Sequence, residues 1–441
     1  MRQPDPAALI DDRPQEGIFR VHRDVYRDPA LFELEMRRVF EGTWVFLGLQ
    51  SQVAKPNDFI TTHIGRQPVL LLRDGEGVLR CFLNTCRHRG AVVCPFRKGN
   101  QKFHVCRYHG WAYDNTGRNI VITDREAAQY PPAFDAEDHD LLPVARLATY
   151  RDLIFASLSP DVPPLEQHLG EARTFLDLVL DQSTTGWEFV PGPVTYTFEG
   201  NWKLQFENGL DFYHFNPTHG AYVDVLNRRA QVMPAPATLP AEPDPQGQGS
   251  FSFGRGHAVM WSIRNPPRGL RPLMLDRQRL AEVRARVGEV KAKWMFRQRN
   301  LTIYPNMQLI DITSMQLRTW RPLAVDRTEM TSWCLAPIGE EPEARRFRIR
   351  QYEDFFNPTG LATSDDNVMY EYCQSGYAAE GGFTQGYSRG LGGPPGPRQI
   401  RDELGVRDAT FAYGPLGLGD ETCFHTGYRE WRRLMTAGAA A

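Results

Sequence analysis

The feature that most constrains this chain is a set of four metal-ligand side chains in two short pieces. Cys86-Arg87-His88 is followed by seventeen residues and then Cys106-Arg107-Tyr108-His109. The order is Cys, His, Cys, His. A zinc finger of the usual kind pairs two Cys and then two His. The interleaved order fits a [2Fe-2S] cluster with two unlike irons, one held by two thiolates and one by two imidazoles. Imidazole is neutral where thiolate is anionic, so the reduction potential rises above that of an all-cysteine cluster, and the site suits electron relay. The alternative on these residues is a Cys2His2 zinc site. Cys81 and Cys94 lie nearby, fit no ligand slot and read as small buried residues. His104 reads as structural or exposed.

Cysteine usage agrees with metal chemistry. Seven cysteines in 441 residues is an odd number and too sparse for a disulfide scaffold, which implies a reducing, cytoplasmic compartment. The 51 Lys and Arg against 53 Asp and Glu leave a net charge of −2. That balance gives no footprint for nucleic acid or an anionic membrane. No apolar run approaches the roughly 20 residues that span a bilayer. The N-terminus, MRQPDPAALIDDRPQEG, does not follow the pattern of a secretory signal. At 41% hydrophobic and 24% charged residues the chain is globular, and its length suits two or three domains.

A first helix is expected after Asp28, a capping residue, with Pro29 at the first helical position. Phe32, Met36, Val39 and Phe40 then form one apolar stripe. From about Trp44 the texture becomes β. The runs 69–73 and 78–83 flank Asp74-Gly75-Glu76-Gly77 and predict a hairpin. The expected organisation is an N-terminal helical segment over 1–39, packing on a catalytic domain over 159–441, and a small, mostly β domain over 40–158. In the last region, 194–198, 301–312 and 315–323 read as strands, and 276–296 and 342–356 as helices. Residues 234–249 form a Pro/Gly-rich loop. The glycine-rich stretch 376–397 is expected to be functional or mobile.

A second constellation lies in 201–219, which holds Asp211, His214 and His219. A helix turns about 100° per residue, so Asp211 and His214 would share a face while His219 would lie about 140° away from His214. Pro217 disfavours helical geometry at Asn216, and a break there would let His219 swing back. Two His and one carboxylate make a facial triad for non-haem iron. The candidate carboxylates are Asp365 and Asp366, of which Asp365 also reads as a solvated cap.

The flanks His88-Arg89-Gly90 and His109-Gly110-Trp111-Ala112-Tyr113 resemble those of the Rieske domain of aromatic-ring-hydroxylating oxygenases. Glu207-Asn208-Gly-Leu-Asp211-Phe-Tyr213-His214-x4-His219 resembles the catalytic iron motif of the same family. Tyr304-Pro305-Asn306 and the segment from Arg350 to Asp366 resemble its later parts, and the likeness is greatest to the large subunits of benzoate and toluate dioxygenases. The resemblance runs from about Tyr26 to Met435. It implies an α+β protein: an all-β Rieske domain with Cys86, His88, Cys106 and His109 on the cluster, and a catalytic domain with a central antiparallel sheet wrapped by helices. It implies mononuclear Fe(II) on His214, His219 and Asp366, with Asp211 linking His214 to His109 of a neighbouring subunit. It further implies a homotrimer of large subunits, with or without a small β subunit. Electrons would come from NADH through a separate reductase, with or without a ferredoxin, since no Gly-x-Gly-x-x-Gly opens a helix in this chain. The reaction would be cis-dihydroxylation of an aromatic ring with O2, with a benzoate-like carboxylate as substrate. The alternatives are a monooxygenase or oxidative demethylase on the same architecture and, from another class, a zinc-binding or electron-transfer protein without catalysis. A buried substrate carboxylate would want a cation. Arg228, Arg229, Arg255 and Arg264 are available, each reading as a surface arginine. Asn208 is expected near the open coordination positions, or else bonded to backbone. The family pattern is broken at Gly220, which could enlarge the pocket, and at Phe212.

Overall fold

The computed structural model describes residues 5–232, 247–264, 269–312, 314–379, 384–394, 396–414 and 419–437. They fall into two compact units, one over 40–165 and one formed by 1–39 with 166–441. No helix among the described residues is long and apolar enough to cross a membrane. Most of the Pro/Gly-rich stretch 234–249 lies outside the described residues, as do 380–383 and 395 of the glycine-rich stretch.

The smaller unit is built of short antiparallel sheets. The predicted hairpin pairs Gln67–Arg73 with Leu79–Leu83. Its turn is held by Asp74, whose Oδ1 accepts from the Glu76 and Val78 amides at 3.0 and 2.9 Å. Strand Asp58–Ile64 adds to one side of the hairpin, followed by Lys98–Asn100. Alternating side chains feed two cores. Cys81 packs with Val45, Ile64, Val69 and Leu71. Cys94 packs with Phe59, Leu70, Phe82 and Trp111. Both cysteines are small core residues, as their spacing outside any ligand slot suggested.

The larger unit is α+β. A nine-stranded antiparallel sheet holds, in spatial order, Trp187–Phe189, Arg327–Pro337, Met315–Ala324, Met307–Asp311, Gln298–Ile303, Ala258–Ser262, Gln248–Ser252 and Thr410–Tyr413, with Val194–Phe198 also on Arg327–Pro337. Residues 301–312 do not form the single expected strand. Tyr304-Pro305-Asn306 interrupts them, because proline has no N–H for the ladder, and the run becomes a hairpin. Pro342–Phe355 forms a helix where expected, and Arg277–Phe296 is helical on either side of a kink at Gly288, whose φ of 77° is not helical.

The N-terminal segment is not helical alone. Ile10–Arg13 pairs with Ile18–His22, where Phe19 and Val21 are buried and alternate with Arg20 and His22. The helix Pro29–Glu35 follows, and Asp28 Oδ1 accepts from the Ala30 and Leu31 amides at 2.7 and 3.0 Å. Phe32, Met36 and Val39 are buried on the predicted stripe.

Candidate metal centres

Two loops of the smaller unit repeat one backbone design. The Cys86 amide donates to Ala91 O at 2.7 Å, and the Gly90 amide to Cys86 O at 2.9 Å. The second loop has the Cys106 amide on Trp111 O at 2.8 Å and the Gly110 amide on Cys106 O at 2.9 Å. Each loop needs a glycine in the left-handed region, with φ of 72° at Gly90 and 76° at Gly110. An added Cβ on Gly110 would lie 2.5 Å from Thr123 Oγ1.

The loops present Cys86, His88, Cys106 and His109 together. Both thiols are buried. Burial and the neighbouring Cys86 thiol push the Cys106 thiol up, so an uncompensated thiolate is disfavoured and cationic iron is the natural partner. The His88 and His109 rings are 4.6 Å apart. His88 stacks on Trp111 at 4.9 Å, and its buried Nδ1 has no hydrogen-bond partner. Tyr113 Oη lies 3.3 Å from Cys86 Sγ and accepts from the Arg87 amide at 3.0 Å. Two buried thiols opposite two imidazoles, one with an orphaned nitrogen, fit a cluster of mixed ligation. His104 is buried edge-on against Phe59 and stands apart from this set.

In the larger unit the helix Trp202–Asn208 starts at Asn201, whose side chain accepts from the Lys203 amide. It ends at Gly209, where any Cβ would collide with the Gln308 amide. The expected break at Asn216 does not occur. Asn216 and Pro217 lie inside a short helix, Phe215–Thr218. Proline is tolerated there because the first-turn N–H groups have no helical partner. The chain instead bends through 209–214 and again at His219, with φ −111° and ψ 32°, before the helix Gly220–Val232.

These bends bring His214 and His219 to Asp366, in the first turn of the helix Thr363–Tyr377. One ligand atom from each lies within 4.8 Å of the others, the one such group of three or more among the described residues. Asp366 Oδ1 is 3.4 Å from His214 Nε2 and 3.1 Å from His219 Nε2. Burial opposes ionisation of Asp366, but the two imidazoles hold its carboxyl well below the usual carboxylate range. Burial likewise opposes charging of His214, and Asp211 and Asp366 outweigh it to raise the imidazole to about 9. Two imidazoles converging on one carboxylate repel each other once protonated, so a divalent cation fits this donor set better than protons do.

The carboxylates that are not at the centre sit behind the rings. Asp211 Oδ2 lies 3.1 Å from His214 Nδ1, and Asp365 Oδ2 lies 3.6 Å from His219 Nδ1. Asp365 is partly exposed, and at that distance it makes no hydrogen bond to the ring. Asn208 is 3.0 Å from Asp366 Oδ1 and 3.2 Å from His214 Nε2 through its amide nitrogen. The adjacent Glu207 is partly buried and accepts from Tyr26 at 2.7 Å, Tyr387 at 3.1 Å and Tyr428. Burial raises its carboxyl to about 7 against those three hydroxyls.

A pocket opens on the triad, with walls that include Phe212, Phe215, Met260, Ile310, Phe355 and Phe356. Phe212 stacks on Phe215 at 4.5 Å. Gly220 does not enlarge this pocket. It is exposed, and a Cβ there would meet nothing within 4 Å. The four arginines weighed as carboxylate partners are absent from the described lining. Arg229 pairs with Asp354 at 2.5 Å, and Arg264 Nη1 donates to Ile263 O at 3.2 Å. The lining arginine is Arg318.

An iron–sulfur relay unit and a 2-His-1-carboxylate pocket on one chain define a class of iron oxygenase, and comparison with known proteins agrees. Residues 188–437 match the ring hydroxylating alpha subunit (catalytic domain) family, and 43–132 match the Rieske [2Fe-2S] domain. The chain is 45% identical to toluate 1,2-dioxygenase subunit alpha of Pseudomonas putida, over 87% of this chain and 84% of that one. It is 39% identical to the 2-halobenzoate 1,2-dioxygenase large subunit of Burkholderia cepacia, over 98% and 92%. Among solved structures, naphthalene 1,2-dioxygenase from Rhodococcus superposes with a TM-score of 0.80 at 26% identity, covering 95% of both chains. The chain belongs to the ring-hydroxylating dioxygenase alpha-subunit family. As a member it is an enzyme that works with a Rieske [2Fe-2S] cluster, a mononuclear iron and NADH-derived electrons delivered by a reductase. That membership removes the zinc-module and pure-carrier alternatives.

Proposed function

We propose that this chain is the catalytic subunit of a dioxygenase that cis-dihydroxylates an aromatic carboxylate. Relatives are named for toluate, 2-halobenzoate and anthranilate, and each of these compounds is an aromatic ring that bears a carboxylate. The observation that carries the reading is the apolar, aromatic-walled pocket lined by His214, His219 and Asp366. In balance, arene, O2, NADH and H+ give cis-diol and NAD+. The mononuclear iron supplies the redox centre at which dioxygen is reduced, and the cluster supplies its electrons.

The chain's own residues do the rest. Cys86, His88, Cys106 and His109 hold the cluster, and His214, His219 and Asp366 hold the iron. Asn208 donates to Asp366 Oδ1, the oxygen that faces both imidazoles, and fixes the carboxylate there. Asp211 orients the His214 ring, and a carboxylate behind a ligating imidazole raises its basicity. Phe212, Phe215 and Phe355 exclude water and face the arene with apolar surface. We further propose that Asp211 reaches His109 of the partner subunit, which makes a closed ring of large subunits the active form. A homotrimer, with or without a small subunit, satisfies this. The domain limits proposed are 40–158 for the Rieske domain and 159–441 for the catalytic domain.

Product analysis under 18O2 tests the reading. Benzoate should give a cis-diol carrying two labelled oxygens. A product with a single labelled oxygen would favour the monooxygenase alternative.

A further inference from the structure

We propose that Arg318 is the residue that receives the substrate's carboxylate, with Asn300 as a second donor. The inference rests on the aromatic-carboxylate reading and names the group in this chain that makes it work.

Arg318 is buried, at 6% exposure, and lines the pocket that contains His214, His219 and Asp366. Its partners are neutral. Nε donates to Gln308 Oε1 at 2.8 Å. The Gln205 amide, turned so that its oxygen faces the guanidinium, accepts from Nη2 at 2.8 Å. No carboxylate among the described residues lies within ion-pair distance. The other buried arginines are treated differently. Arg271 and Arg299 share Asp311, and Arg348 pairs with Glu340. Arg297 lies over the rings of Trp261 and Trp294. A guanidinium does not give up its proton, so burial without an anion is costly. The fold accepts that cost at one pocket-facing position.

The sheet explains the placement. Arg318 pairs across the ladder with Gln308, and Gln308 with Thr302. One row along, Ile310 pairs with Asn300. Side chains two residues apart share a face, so Arg318, Gln308, Ile310 and Asn300 project to one side. Asn300 is buried, lines the same pocket, and its amide has no protein partner among the described residues. With a ferrous ion on the triad, the formal charges of Asp211, Asp366, Arg318 and the ion leave the pocket with an excess of one positive charge. An anionic substrate neutralises that excess. A forked guanidinium also fixes the ring's rotation, because a bidentate contact admits one orientation.

The test is titration calorimetry of the purified full-length enzyme with benzoate and with its neutral isostere benzamide. The cluster absorption spectrum and melting temperature serve as folding controls. The wild type should bind benzoate more tightly. Arg318→Met should weaken benzoate by at least about 30-fold, as truncation of one partner of a buried charge pair does, and change benzamide by less than about threefold. Arg318→Lys, which keeps charge and loses the fork, should fall between. Asn300→Ala should weaken benzoate by roughly 3- to 10-fold. Arg318→Gln reads the same ratio if the Met variant does not fold. A variant that keeps the wild-type preference for benzoate overturns the assignment of Arg318 and leaves the substrate reading standing. A wild type that binds benzamide as tightly as benzoate overturns the substrate reading and the assignment with it.

Discussion

The two metal centres are built in opposite ways. The proposed cluster site takes all four ligands from 86–109, on two loops with the same backbone hydrogen bonds. The proposed iron site takes two ligands from one bent segment and a third from Asp366, and Asn208 spans 158 residues of sequence to reach that carboxylate. A local site is fixed by its loop glycines and a small core. A dispersed site depends on how a nine-stranded sheet, a bent segment and a distant helix are held together. The first should therefore fail as a unit when one loop is altered. The second should lose function in graded ways.

The largest expected effect is at His109. His109→Ala should remove the cluster spectrum and reduce turnover to background, because one iron loses half of its protein ligands. Retention of a Rieske-type signal in that variant would assign the ligand elsewhere. Next is Asp211→Asn, which keeps shape and loses charge. It should retain both metals by elemental analysis and slow turnover by about 10- to 100-fold, the usual cost of losing the partner behind a ligating histidine. Wild-type rates there would remove Asp211 from the electron path.

Gly110→Ala sharpens the local half of the comparison. A Cβ in the left-handed region beside Thr123 should cost about 2 kcal/mol or more. Thermal melting should show it together with easier loss of cluster sulfide. An effect of comparable size is expected at Glu207. Its folded-state value of about 7 lies above the ordinary 4.5. Its contribution to stability is therefore complete below pH 4.5 and is lost as pH rises through 7. Over that window the loss is at most about 3 kcal/mol, and Glu207→Gln should flatten it in denaturant titrations at a series of pH values. An unchanged slope would mean that the three tyrosines stabilise the carboxylate fully.

The same contrast decides what is legible in sequence. Ligand order and spacing define the cluster site because everything it needs lies within one short stretch. The hairpin around Asp74-Gly77 and the helix after Asp28 are legible for the same reason. The iron site is only half legible. Asp211 and His214 are three residues apart and meet, but across a turn and not on the helical face that the spacing assumed. The route to His219 is not the one the proline implied, since Pro217 sits in a first helical turn that tolerates it. Adjacent acids on a helix point about 100° apart, so only one can face the iron, and spacing alone does not say which. Resemblance pointed to Asp366, and Asp365 sits behind His219. Arg318 goes unseen because its strand reads as an ordinary buried run. The available signal is an arginine between Leu317 and Thr319 on a strand buried over most of its length. Its meaning appears only when the ladder sets it opposite Gln308 above the pocket.

The most direct test is metal analysis and EPR of Asp366→Ala, prepared anaerobically beside the wild type. The wild type should hold about three irons and two acid-labile sulfides per chain. The variant should hold about two of each, give an unchanged Rieske-type signal on reduction, and form no diol. A variant that still binds the third iron and turns over, or one that loses the cluster as well, would contradict two independently built iron centres with Asp366 as the carboxylate ligand.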